Sequence, residues 1–186
     1  DWGIVYYVMA GLIFVGILTM LFAKEPSSVA FQYSRSFLGW FKEAVVAPFL
    51  DFSRRPAWII ILLFVILYKF GDSLAGVMTG PFLVELGFSN AEIASVGKIY
   101  GFAATMIGLA IGGALIAKSG IIKSLWVCGF LQLGSNFLFA IQASVGHDNG
   151  LLALVIGAEN LAGGMGTAAF VAYLSSLCNV KYTATQ

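Results

Sequence analysis

Residues 57–82 read AWIIILLFVILYKFGDSLAGVMTGPF, and this one run decides what kind of fold the chain can have. As an α-helix its 26 residues extend about 39 Å at about 1.5 Å per residue, against a hydrocarbon layer about 30 Å thick. The run is long enough to cross a bilayer, yet it holds two ionisable groups, Lys69 and Asp72, near its middle. The composition agrees with a membrane setting. Hydrophobic residues make up 60% and charged residues 10% of the chain, and the mean hydropathy is +0.93. A soluble domain has about a quarter of its residues charged.

Four further apolar runs, at roughly 2–22, 91–117, 124–143 and 151–177, predict five spanning helices in all. No alternation of a β-barrel kind is visible. The first run has no Met and no basic segment ahead of it and reads as a span, not as a cleavable signal. The beginning at Asp1 and the ending YTATQ (182–186) predict the central part of a larger membrane protein.

The positive charges predict the topology. Lys24, Arg35, Lys42, Arg54 and Arg55 lie in the long connection 23–56, Lys118 and Lys123 lie between the third and fourth spans, and Lys181 follows the fifth. The connections 84–90 and 144–150 hold Glu85, His147 and Asp148 but no Lys or Arg. The basic side is therefore assigned to the cytoplasm. Within the long connection Phe31, Leu38, Phe41 and Val45 recur at helical spacing beside Trp40, with Pro48 ending the pattern. This predicts an amphipathic helix on the membrane surface, with a disordered linker as the alternative. A net charge of +1 without a basic cluster gives no expectation of nucleic-acid binding.

A charge at the centre of a spanning helix costs roughly 2.5–3.5 kcal/mol on insertion scales, so Lys69 and Asp72 need a partner or a water-filled cavity. Three residues apart, they share a helix face and can neutralise each other. A purely structural pair and a functional one both satisfy that geometry. Gly71, Gly76, Gly80 and Pro81 on the same run permit a bend or an opened turn, the alternative being a long tilted helix. Lys98 stands about eight residues into the third span, and Glu159, beside Asn160, about eight into the fifth. Three spans with charge at depth predict one polar cavity, and the fourth, without charge, a peripheral helix. There Gln132 and Asn136, four apart, are expected to hydrogen-bond a neighbouring helix in a packing role.

Gly97 and Gly101, then Gly108 and Gly112, are spaced for close helix packing on the third span. Gly163, Gly164 and Gly166 in the fifth serve either packing or flexing. Ser89 with Glu92 predicts a capping box, and His147, Asp148 and Asn149 an outer turn. Cys128 inside a span and Cys178 at a cytoplasmic end predict neither a disulfide nor a metal site. With no nucleophile beside a base and no phosphate loop, no enzymatic chemistry is expected.

The strings YKFGDSLAGVMTGPF (68–82), LGFSNAEIASVGK (86–98), ENLAGGMGTAAFVAYLSSLCN (159–179) and YTATQ (182–186) resemble the AmpG muropeptide permease family of the major facilitator superfamily. The resemblance runs from about residue 48 to the end and is weaker before it. It implies an all-α transmembrane fold of two six-helix bundles. Residues 1–23 would be the last helix of the N-terminal bundle, 24–56 a cytoplasmic inter-bundle loop with an interfacial helix, and 57–186 the start of the C-terminal bundle. The superfamily's cytoplasmic loop motif appears only as GALIAKSGIIK (113–123). Ala117 stands where an acid is usual and Ile121 and Ile122 where bases are, which puts the usual salt-bridge latch in doubt.

The function implied is proton-coupled import of N-acetylglucosaminyl-anhydromuramyl peptides across the bacterial inner membrane for peptidoglycan recycling. No cofactor beyond the proton gradient is implied. The partners are the muropeptide, the lipid bilayer and the remaining helices of the same protein. Tyr68, Lys69, Lys98 and Asn160 are then candidate substrate-binding or ion-pairing groups, and Asp72 and Glu159 candidate proton carriers. A related carrier of another anion, such as an acetyl-coenzyme A-like ester, and a non-transporting membrane scaffold or receptor are the alternatives.

Overall fold

The computed structural model describes residues 2–22 and 36–178, so Phe31 and Arg35 of the expected surface helix lie outside the described residues. Two compact units, 1–40 and 41–186, divide the chain. The first contains α1 (Trp2–Phe22), an apolar helix whose Thr19 hydroxyl donates back to the Gly16 carbonyl. Side chains 3–22 are exposed throughout, as suits a span meant for lipid and for other helices.

At the junction of the units lies α2 (Phe37–Phe41), which continues through a π-helical segment, Lys42–Val46, into α3 (Ala47–Ser53). Pro48, expected to end the helix, instead lies in the first turn of α3, and the helix runs five residues further. Proline is disfavoured inside a helix because it lacks an N–H and its ring clashes with the preceding turn. Where the register changes and a new first turn begins, both penalties lapse. Pro48, Phe49 and Phe52 then face Leu62 and Val65, and Leu174 and Leu177, around a cavity of about 340 Å³. Arg55 pairs with Asp51 at 3.3 Å and donates from its other guanidinium nitrogen to the Leu177 carbonyl.

α4 (Trp58–Glu85) is a single helix of 28 residues that passes through Gly71, Gly76, Gly80 and Pro81 without an opened turn. The irregularity lies in the next span. There α5 (Asn90–Ala94) leads through a π-helical segment, Ser95–Tyr100, into α6 (Gly101–Ser119). Then α7 (Ile121–Val145) and α8 (Asn149–Leu177) follow after short turns. Gly120 and Gly146 make those turns at φ +81° and +85°, a region costly for residues with a Cβ. With α1, the spans 58–85, 90–119, 121–145 and 149–177 make five helices long and apolar enough to cross a membrane. No strand occurs among the described residues.

The core of the second unit forms around α8, which packs on both α6 and α7. Gly108 and Gly112 of α6 sit against the α8 backbone, where a Cβ on Gly112 would stand 2.9 Å from Met165 Cα. Gly164 returns the contact against Gly108 and Thr105. Dispersion contacts at such close backbone approach hold membrane helices together, because lipid removes most of the hydrophobic drive between them. Leu125, Cys128, Met165, Ala169 and Phe170 form one buried cluster toward the α6–α7 turn, and Leu83, Phe88, Leu152 and Ile156 form a second toward the α7–α8 turn.

Candidate functional site

Asp72 is the fifteenth of the 28 residues of α4, Gln132 the twelfth of 25 in α7 and Gly163 the fifteenth of 29 in α8. The three meet at the same mid-depth. Lys69 donates from Nζ to Asp72 Oδ2, and Gln132 Nε2 donates to Asp72 Oδ1 at 3.1 Å. Gly163 has no side chain to intrude, and a Cβ there would stand 4.0 Å from Asp72 Oδ1. One carboxylate thus receives a charged donor from its own helix and an amide donor from another, which meets its need for compensation inside a bilayer. The Lys69 side chain remains 43% exposed and that of Asp72 27%, so the pair is not sealed in a core, and Asp72 borders a cavity.

That cavity, about 260 Å³, is lined by Tyr68, Gly71 and Asp72 from α4, Gln132, Ser135 and Asn136 from α7, and Glu159 from α8. The second carboxylate of the fold therefore shares one space with the first. Glu159 Oε2 accepts from Asn160 Nδ2 at 3.3 Å. Asn160 also donates to the Ile156 carbonyl at 2.8 Å and accepts from Thr105 Oγ1 at 3.0 Å, which locks its amide between α6 and α8. Gly101 makes room for it, since a Cβ there would stand 3.1 Å from Asn160 Nδ2. The Tyr68 ring stacks on Phe170 at 5.4 Å, and its buried hydroxyl has no hydrogen-bond partner among the described residues. A larger apolar cavity of about 430 Å³ adjoins through Tyr68, Gly129 and Leu133 and is walled by Phe64, Trp126, Phe130 and Tyr173.

The structure thus gathers Tyr68, Lys69, Asp72 and Glu159, with Asn160 behind Glu159. Lys98 is not among them: it is an exposed residue of the π-helical segment, and Gly97 beside it has no neighbour within 4 Å of an added Cβ. Gly71, Gly76 and Gly80 likewise face open space, whereas Gly164 and Gly166 are packing positions. The expectation that the fourth span stands apart from the polar cavity is corrected, because α7 supplies Gln132, Ser135 and Asn136 to it. An ionised carboxylate needs a donor, and a neutral amide gives one at lower desolvation cost than a second charge. The signal available in the sequence was Gln132 itself, an amide in an otherwise apolar run.

At the end of the unit where α5 and α8 begin, the capping box forms as expected: Ser89 N and Oγ donate to Glu92 Oε2, and Glu92 N donates back to Ser89 Oγ. Glu92 Oε1 also accepts from Asn149 Nδ2 at 3.1 Å and lies 3.5 Å from His147 Nε2, whose ring stacks on Phe88 at 4.3 Å. The expected exposed turn is therefore also a clasp between two connections. Asp148 caps α8 by accepting from Leu151 N at 2.7 Å.

Five apolar helices with ionisable groups gathered at mid-depth define a multi-pass helical membrane protein with a charged intramembrane site. No family model matches the chain. Along its whole length it is 37% identical to the anhydromuropeptide permease of Escherichia coli K12, of which it covers 37%, and 35% identical to the protein of Rickettsia felis named as transporter AmpG 4, of which it covers 45%. A second Rickettsia felis protein, named as transporter AmpG 1, is 39% identical over 73% of the chain and is itself covered over 31%. The chain belongs to the AmpG permease family, and it spans less than half the length of the curated relatives it matches.

Proposed function

We propose that the chain forms part of a proton-coupled permease that imports anhydromuropeptides across the bacterial inner membrane for peptidoglycan recycling. It would supply one wall of a two-bundle transporter. The observation that carries this reading is Asp72, paired with Lys69, lining a mid-depth cavity that Glu159 also lines. The cargo carries peptide carboxylates, for which Lys69 is a natural counter-ion. When Asp72 is ionised it holds Lys69, and when it takes a proton it releases Lys69 to the substrate. That competition links proton entry with substrate entry and needs no cofactor beyond the proton gradient. Tyr68 and the apolar cavity next to it offer a surface for the sugar rings.

The test uses the full-length permease containing this chain, reconstituted in proteoliposomes with the outside acidified, and follows entry of labelled N-acetylglucosaminyl-anhydromuramyl peptide. Concentrative uptake that collapses with a protonophore and resists competition by acetyl-coenzyme A supports the reading. Uptake blocked by acetyl-coenzyme A but indifferent to unlabelled muropeptide assigns the carrier to another anion. Absence of any uptake by folded protein removes the transport reading in favour of a scaffold or receptor.

A further inference from the structure

Gln132 donates to the carboxylate of Asp72, and its other polar atom, Oε1, lies together with the buried hydroxyl of Tyr68 beside the bare position of Gly166. We propose that the Gln132 carboxamide is a rotating relay that reads whether Asp72 carries a proton and passes that state to Tyr68 and α8; this rests on the reading of Asp72 as a proton carrier. In the present arrangement Asp72 pairs with Lys69, and Gln132 donates Nε2–H to Oδ1 at 3.1 Å. The other end of the amide faces Gly166. An added Cβ there would stand 3.3 Å from Gln132 Oε1, 3.4 Å from its Cδ and 3.5 Å from the Tyr68 hydroxyl. Two oxygens thus converge on a position that has no side chain, and one of them, Tyr68 Oη, is buried without a partner.

Protonation of Asp72 replaces an acceptor by an O–H donor. With the proton on Oδ1, the facing Nε2–H₂ meets an O–H in place of a free acceptor, while Oε1 on the far side is the acceptor the new O–H needs. Half a revolution about the terminal torsion of Gln132 exchanges the two, and that torsion is broad and roughly two-fold. Tyr68 suits the turn, because its hydroxyl, buried without a hydrogen-bond partner among the described residues before it, can accept from Nε2 after it. The groups that bear on this exchange are Lys69 and Tyr68 on α4, Cys128 on α7 and Glu159 on α8. No bond is made or broken beyond the O–H on Asp72. Because Gly166 belongs to the helix that also holds Glu159 and Asn160, the amide joins the proton state of α4 to the most buried helix of the unit.

The experiment measures muropeptide uptake against external pH, at a fixed gradient, in proteoliposomes of the full-length permease with Gln132, Gln132→Leu, Gly166→Ala or Tyr68→Phe. Leucine keeps the volume and removes the amide, and it is expected to move the pH midpoint of uptake alkaline by about one unit and to lower the maximum about tenfold. Gly166→Ala keeps every hydrogen-bonding group but crowds the turning amide, and it is expected to slow uptake about tenfold with the midpoint in place. Infrared difference spectra after an acid pulse provide a readout independent of transport: a side-chain amide change in the wild type that is absent from Gln132→Leu and Asp72→Asn. An unchanged pH profile in folded Gln132→Leu, or no amide change in the wild type, overturns the relay and leaves the transport reading standing. A wild type without proton-driven uptake overturns that reading, and the relay with it.

Discussion

Asp72 has two donors and Lys69 has one carboxylate, so the residues of the pair are not equivalent. Removing Lys69 leaves an ionised carboxylate with one amide donor, whereas removing the charge of Asp72 leaves an ammonium without its counter-ion. In a double-mutant cycle Lys69→Gln and Asp72→Asn should therefore couple by about 1 kcal/mol in detergent-solubilised stability, a figure kept low because both side chains are partly exposed. Thermal unfolding of the four proteins checks it, and strictly additive losses would show that the pair carries no net coupling. Glycines divide in the same residue-level way. Gly112→Ala places a Cβ 2.9 Å from Met165 Cα and should destabilise by about 1–3 kcal/mol, whereas Gly76→Ala meets nothing and should be neutral or stabilising by about 0.5–1 kcal/mol. Comparing melting in detergent separates the two. If Gly76→Ala melts normally yet fails to transport, bending of α4 belongs to the cycle.

Among the elements, the connection from α3 to α4 stores a local cost. Ala57 takes φ +62° just before the helix starts, a left-handed conformation that a Cβ disfavours. Ala57→Gly should raise stability by about 0.5–1 kcal/mol, read as a higher melting temperature with uptake unchanged. Arg55 closes the same corner through the last carbonyl of α8, so Arg55→Leu should cost about 1 kcal/mol and fray that helix, which amide hydrogen exchange at 174–178 would report. The existence of these elements was legible because uninterrupted apolar runs and their polar gaps are one-dimensional signals. Their interior was less so. Glycine and proline in 71–81 left a bend or opened turn and a long unbroken helix both open, and α4 stays whole, while a π-helical turn lies at Ser95–Tyr100, where no proline marks it. An extra residue per turn answers to packing against α8, which sequence spacing does not carry. The same reason hid the role of Gln132, since its partner is 60 positions away.

At the scale of the whole molecule, loop charge predicts that 23–56 and 118–123 face the cytoplasm and that the clasp of Glu92, His147 and Asn149 faces outward. Single cysteines at Lys123 and at Asn149, in a Cys128→Ser/Cys178→Ser background, should be labelled by a membrane-impermeant maleimide on opposite sides of right-side-out and inverted vesicles. Labelling of both from one side would invert or break the five-span topology. The charged cavity needed the fold as well as the sequence, because the Lys69–Asp72 pair, Lys98 and Glu159 were legible as charges at depth pointing to one cavity, but only helix packing shows that Asp72 and Glu159 line it while Lys98 does not. The central claim is that proton binding at this cavity frees Lys69 for an anionic substrate. The measurement that tests it most directly is gradient-driven muropeptide uptake by the wild type, Asp72→Asn and Lys69→Gln in proteoliposomes, beside substrate exchange at equal pH. The account predicts that Asp72→Asn loses accumulation about a hundredfold while it retains exchange, and that Lys69→Gln loses both. Accumulation at the wild-type level by both folded variants would contradict it.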